Sequence, residues 1–181
     1  MIVESPDEQR WRELVRDYGT PRFADRVWNM PERIENVEPP TISGEVILLI
    51  FNLAGSCVFV RRRGVLDWFF PMGRIGMKEG IIDAARREAM EEAGVEIHPV
   101  GVPLCQRVTL HFKNLTFQRW HLIVVAETIS SVLTPTDGEI EEARFFDLPP
   151  SLVDLEVMSW MNELHREGMK YLRSMDAMDG I

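Results

Sequence analysis

Three carboxylates, Glu88, Glu91 and Glu92, fall on one short stretch whose neighbours favour a helix. At 3.6 residues per turn, positions i, i+3 and i+4 share a helix face. Three like charges on one face repel, so a purely structural helix gains little from them. A divalent cation removes the conflict. Mg²⁺ accepts a few carboxylates and fills its other positions with water and substrate phosphates. The stretch therefore reads as a Mg²⁺ platform on a helix, preceded by a loop carrying Gly73, Gly76 and Gly80. A solvated amphipathic helix is the plainer reading. It explains Arg87 beside Glu91 at i,i+4 but not the rest of the spacing.

The same segment resembles the signature of the Nudix (MutT-related) hydrolases. That signature is a Gly, a Glu, then Arg-Glu-aliphatic-any-Glu-Glu-any-Gly-aliphatic. Gly73, Glu79, Arg87, Glu88, Glu91, Glu92 and Gly94 fill its fixed positions, and Val95 is the last aliphatic. At ~6% per position, such a coincidence arises at roughly one start in a hundred million, so the spacing is not accidental. Ala89 stands where a larger aliphatic is usual, and Met72 where the family usually has a further glycine.

The resemblance implies hydrolysis of a phosphoanhydride bond in a nucleoside diphosphate linked to another group, with Mg²⁺, or Mn²⁺ in its place. Glu88 and Glu92 would be the principal metal ligands, Glu91 a third ligand or the holder of a metal-held water, and the Gly73 carbonyl a further donor. Arg87 would pair with box carboxylates and fix the loop on the helix, with Glu79 as its partner or as a water-mediated metal ligand. In some family members the general base comes from a loop before the last strand. Here that loop runs from Thr134 to Glu142, and Glu139 is the first choice for the base, Glu141 the second. An acidic solvated loop is the alternative.

Other residues carry weaker signals. Arg61, Arg62 and Arg63 end a strand, and alternation puts Arg61 and Arg63 on one side, Arg62 on the other. Arg61 or Arg63 could hold a substrate phosphate bidentately, or the run is simply a charged strand end. Trp68 either stacks on a base or packs in the core. His98, His111, His121 and His165 show no ligand spacing. The sequence does not choose a substrate. The pattern tied to coenzyme A hydrolysis is absent, and the Pro or Tyr of the ADP-ribose and dinucleoside polyphosphate subfamilies has no counterpart around His111. A nucleoside triphosphate or a nucleotide sugar stays open. The competing readings are a binding module without turnover, an RNA-end pyrophosphohydrolase and a prenyl diphosphate isomerase. The last needs a catalytic Cys, and Cys57 and Cys105 sit in apolar stretches without an acidic partner.

The elements that must position these groups follow from patterning. Strands are expected at 45–51, 57–61, 68–70, 103–112, 115–127 and 142–146, with Pro71-Met72-Gly73 as a turn and Lys113-Asn114 as a hairpin. The box helix is expected over 81–93, with Ile82, Ala85 and Ala89 toward the core and Gly94 as its left-handed cap. The expected fold is an α/β (α+β) sandwich. The resemblance implies the Nudix fold, a mixed sheet between helices. Three parts are expected. Residues 1–42 form an arm, with a helix started by Ser5 and Pro6, a second short helix over 22–29 and a Pro-rich linker. Residues 43–149 are the core. Residues 150–181 are a terminal helix capped by Ser151 with Asp154, extending past Gly168 to a frayed end. The arm either packs on its own domain or forms a homodimer interface.

The formal net charge of −9 argues against broad nucleic-acid binding, which depends on neutralising phosphates. The longest apolar run, Val46 to Val60, is interrupted by Asn52, Gly55 and Ser56, so it is expected to be a hairpin rather than a membrane span. Cys57 and Cys105 could pair only if the fold brought them together, and buried free thiols are the expectation; with no secretory signal pattern at the start, the chain is expected in the cytoplasm.

Overall fold

The computed structural model describes residues 8–29, 44–152 and 154–179. Its centre is β2 (Glu45–Asn52), whose residues Val46 to Phe51 are all fully buried. An uninterrupted apolar run of this length suits a strand covered on both faces. Along its whole length β2 pairs in parallel with β6 (Leu115–Thr128). Its other side meets β4 (Met72–Arg74) at one end and β3 (Cys57–Arg62) at the other. The sheet runs β1-β5-β6-β2-β3-β7, with β1 (Arg22–Asn29), β5 (His98–Phe112) and β7 (Ile140–Phe146) completing it. Parallel and antiparallel pairs are mixed.

Alternation along β2 divides the core. Val46, Leu48 and Ile50 face α1 (Glu8–Tyr18) and α2 (Ile81–Glu88), meeting Leu14, Ala84 and Ala85. Ile47, Leu49 and Phe51 face α3 (Leu155–Asp179), meeting Trp160, Met161 and Leu164. This is the α+β sandwich, a mixed sheet between helices.

Four local expectations change. Residues 22–29 are a strand, not a helix. An isolated helix of that length is marginal, whereas β5 offers a parallel edge to every residue from Arg22 to Asn29, and burial there alternates with period two. Residues 68–70 are not a continuous strand. Phe69 alone exchanges hydrogen bonds with Val60, and the strand proper lies at Met72–Arg74, where a turn was expected. Pro71 has no N–H for the ladder, and its carbonyl accepts from Leu48. The box helix changes form: α2 passes into a π-helical turn over Ala89–Ala93. Finally, Asp154 rather than Ser151 caps α3. Its Oδ1 accepts from the backbone N–H groups of Glu156 and Val157 at 3.0 and 3.1 Å.

The Lys113-Asn114 hairpin turn is present, with Lys113 at φ 51°. Ala85 and Ala89 are buried as expected, and Ile82 packs beside them. In the arm, Leu14 is buried in the core and Trp11 and Tyr18 pack against it. α3 continues through Gly168, and Leu172 beyond it is buried. The Ser5-Pro6 helix start and the Pro-rich linker lie outside the described residues. Among the described residues, no helix is long and apolar enough to cross a membrane.

Candidate active site

The box folds against β4. Gly94 closes its helix at φ 68°, and Gly94 N–H donates to the Met90 carbonyl. A Cβ at residue 94 would stand 1.9 Å from the Thr134 carbonyl oxygen. The loop before β7 can thus dock on the helix end. Thr134 N–H donates to the Ala93 carbonyl, and the Thr136 and Asp137 N–H groups to that of Glu91, at 2.9 and 2.8 Å.

Glu88 and Glu92 are 7% and 3% exposed, and they take up different contacts. Glu88 lies over Gly73: a Cβ there would stand 1.8 Å from Glu88 Oε1. Only a glycine leaves room for the carboxylate. Glu92 Oε2 accepts the Met72 backbone N–H at 2.8 Å, and Arg62 Nη2 donates to Oε1 at 3.3 Å. Burial pushes Glu92 up to about 7, with Glu88 adding to the rise and Met72 N–H and Arg62 opposing it. Glu88 is raised too, first by burial, with Arg87 opposing and the charges of Glu91 and Glu79 adding.

Arg87 ties the loop to the helix. Its Nε donates to Glu79 Oε1 at 2.7 Å and its Nη2 to Oε2 at 2.9 Å. Nη1 donates to Glu88 Oε1 and Glu91 Oε2 at 2.6 and 2.9 Å. Nη2 also reaches the Arg74 carbonyl. These bonds, Glu79 foremost, raise Arg87 above its ordinary value and hold Glu79 below its own. Glu79 Oε2 also accepts the Gly76 N–H at 2.7 Å, closing the loop.

Among the described residues, no three His, Cys, Asp or Glu side chains close on one point. The donor set nevertheless fits a hard cation: Glu88 lies over Gly73, Glu92 accepts from the adjacent Met72 N–H, and burial raises both carboxyls. Mg²⁺ needs only one or two carboxylates when substrate phosphates complete its shell. Glu91 is drawn to Arg87 and its side chain is 46% exposed.

The remaining sequence-derived candidates are dispersed. Arg61 binds Glu141 and Glu142 at 2.7 and 3.0 Å and lies over the Trp68 ring. Trp68 meets Phe146 edge-on. Arg63 donates to the Gly138 carbonyl. Glu139 is exposed, and its backbone N–H is held by Asp137 Oδ1 at 2.9 Å. Of the arginine run, Arg62 is the member brought to the box. Strand alternation set it apart from its neighbours in sequence, but nothing marked its side as the occupied one. The Met72 N–H carries no signal either, because Pro71-Met72-Gly73 has the pattern of a turn.

A mixed sheet between helices thus carries a helix-borne pair of buried carboxylates beside the short strand Met72–Arg74. The chain belongs to the Nudix family: the NUDIX domain model matches residues 43–164. It is 29% identical over 153 residues to an 8-oxo-dGDP phosphatase of Danio rerio, covering 77% of this chain and 43% of that protein. It is 34% identical over 77 residues to an RNA pyrophosphohydrolase of Pseudomonas savastanoi pv. phaseolicola, covering 42% of this chain and 48% of that one. The chain thus spans less than half the length of these curated relatives. A NUDIX-family hydrolase from Clostridium perfringens shares the fold at TM-score 0.54 and 16% identity, over 71% of this chain and 96% of that one.

Proposed function

We propose that this chain is a Mg²⁺-dependent hydrolase, with Mn²⁺ able to substitute, that cleaves a phosphoanhydride bond in a nucleoside diphosphate linked to another group. A nucleoside triphosphate or a nucleotide sugar is the substrate type. One observation carries the reading: Glu88, buried over Gly73, and Glu92, buried at the Met72 N–H, put two carboxylates at one short strand, where a cation with bound phosphate would compensate their charge. A cation bound there would supply charge neutralisation on the phosphates and would acidify water.

The residues then divide the work. Glu88, Glu92 and the Gly73 carbonyl would hold the cation, with Glu91 as a third donor or the holder of a water. Arg87 and Glu79 keep the loop on the helix. Arg62, half-exposed beside Glu92, is placed to meet a phosphate oxygen; Arg61 and Arg63, with Trp68, stand further along as substrate contacts. Glu139, or Glu141 behind it, takes the proton of the attacking water. The water oxygen bonds to phosphorus, the anhydride P–O bond breaks, and the displaced phosphate leaves with the electron pair.

The activities for which the two relatives are named support a nucleotide substrate. The RNA relative keeps an RNA 5′ end as the second reading, and the net charge of −9 weighs against it. The other alternative is a nucleotide-binding module without turnover. The division into an arm at 1–42, a core at 43–149 and a terminal helix at 150–181 belongs to this reading, as does a homodimer through the arm. Free, buried Cys57 and Cys105 suit a reducing, cytoplasmic setting. The test is release of phosphate or pyrophosphate from a panel of nucleoside triphosphates, nucleotide sugars, ADP-ribose, dinucleoside polyphosphates and triphosphorylated RNA, with and without Mg²⁺. Mg²⁺-dependent cleavage of one class supports the enzyme. Tight binding with no cleavage of any would replace it with the binding module.

A further inference from the structure

Arg10 sits on α1, outside the matched domain at 43–164, yet it reaches the box. Its Nη1 donates to the Gly76 carbonyl at 3.3 Å, across 66 residues of sequence. The placement follows from helix periodicity. Arg10, Leu14 and Tyr18 are spaced by four and share one face of α1. Leu14 is buried in the core and Tyr18 packs beside it, which turns that face toward the sheet. A cleft of about 330 Å³ opens between α1 and α2 at the rim of this packing. Arg10 is in its lining, and a long stem lets the guanidinium reach the loop.

Gly76 is where the loop closes on itself. Its N–H donates to Glu79 Oε2 at 2.7 Å, and its carbonyl accepts the Glu79 N–H at 3.1 Å. Glu79 in turn holds Arg87, and Arg87 holds Glu88 and Glu91. A run of hydrogen bonds with charged members, the stronger kind, thus leads from the arm to the carboxylates of the box. Glu79 is held below its ordinary range first by Arg87 and then by the Gly76 N–H, against burial, and the charge of Arg10 adds to this.

The loop also needs holding. Lys78 sits in it at φ 68°, a left-handed conformation uncommon for any residue but glycine. Such backbone persists only where its surroundings fix it. Arg10 supplies a fixing point from outside the loop and outside the helix that follows it.

We propose that Arg10 is a positioning residue for the box: from the arm it pins the loop at Gly76, and through Glu79 and Arg87 it sets how tightly the box carboxylates hold a divalent cation. The affinity role rests on the reading of the box as a cation site. Arg10 touches neither cation nor substrate in this role. It makes the arm a determinant of metal affinity.

The test uses the full chain without substrate and takes two readings: amide hydrogen exchange at Gly76 and Glu79, and Mn²⁺ affinity from electron paramagnetic resonance of the free ion. Arg10→Ala should speed exchange at both amides, because local opening sets their protection. It should weaken Mn²⁺ binding by ~10-fold, the low end of what is lost when a partner bonded directly to a metal ligand is removed. Arg10→Lys keeps a cationic donor for the carbonyl and should recover most of both. Arg16→Ala removes the same charge from the same helix, where the guanidinium is bonded to Asp17, and should match the wild type in both. A merely structural role for Arg10 would lower Tm and leave Mn²⁺ affinity unmoved. Wild-type exchange or wild-type Mn²⁺ affinity in Arg10→Ala overturns the proposal, as does an equal loss in Arg16→Ala. Glu92→Gln separates this proposal from the reading beneath it. Mn²⁺ binding that needs Glu92 but ignores Arg10 would sink the proposal alone. Mn²⁺ binding indifferent to Glu92→Gln would sink the cation reading and the affinity role with it, and leave the pinning of the loop to stand or fall on the exchange.

Discussion

Glu92 carries more of the site than its place in a charged run implies. It is nearly buried, joins the helix to β4 through the Met72 N–H and meets Arg62. Glu92→Gln keeps a hydrogen-bond acceptor for Met72 but removes the charge a cation needs. Turnover is expected to fall by roughly 10² or more, measured as Mg²⁺-dependent product release; a near-normal rate would remove Glu92 from the ligand set. Glu139 is a different case. It is exposed, on a loop tied to the box through the Glu91 carbonyl. If it takes the proton, Glu139→Gln lowers the maximal rate by ~10²-fold or more while the Mg²⁺ concentration for half-maximal activity stays unchanged. Unaltered kinetics would make it a solvated loop residue.

At the scale of elements, the box depends on how a helix ends. The π-helical turn over Ala89–Ala93 widens the spiral between Glu88 and Glu92, and such turns often occur at functional sites. It lets Glu88 lie over Gly73 while Glu92 reaches Met72. Gly94 makes the ending possible, through its positive φ and the close Thr134 carbonyl. A left-handed non-glycine residue costs ~1–2 kcal/mol, before any displacement of Thr134. Gly94→Ala should therefore lower Tm by roughly 4 °C or more for a chain of this size. A scanning calorimetry trace matching the wild type would show that the loop yields freely. The helix cap and box spacing were legible because they depend on neighbours within a turn or two. The arm strand was not: residues 22–29 became β1 because β5 offered an edge, a partner some eighty residues away in sequence.

The whole molecule holds its acidic pair at a cost that pH and metal should reveal. A carboxyl whose folded value is raised binds its proton more tightly when folded. Its contribution favours the folded state below the ordinary value of 4.5 and is lost as pH rises through about 7. Glu88 shifts in the same direction. Glu79 and Glu45 are lowered, Glu79 chiefly by Arg87; burial would raise Glu45, but His121, Arg119 and Arg74 outweigh it. Those two lose their contribution only under more acidic conditions. In a chelator, Tm should thus fall by roughly 5 °C between pH 5.5 and 7.5, taking 2–4 °C per kcal/mol. Mg²⁺ should flatten that slope, and Glu92→Gln should remove most of it. A flat metal-free profile for the wild type would mean that the pair is not strained by its burial.

The sequence by itself determined the family. Seven fixed positions from Gly73 to Gly94 encode a local object, a loop and helix whose spacing sets which side chains share a face. The central strands were also legible, because β2 and β6 are long apolar runs. Only the tertiary structure decided what surrounds that object. It selected Arg62 from three adjacent arginines, made Met72–Arg74 a strand whose Met72 N–H donates to Glu92, and brought Trp28, His121 and Trp160 to one cavity wall. These residues lie on three separate elements, β1, β6 and α3. Their meeting follows from sheet order and helix packing, which depend on contacts between distant segments that no local spacing in the chain records.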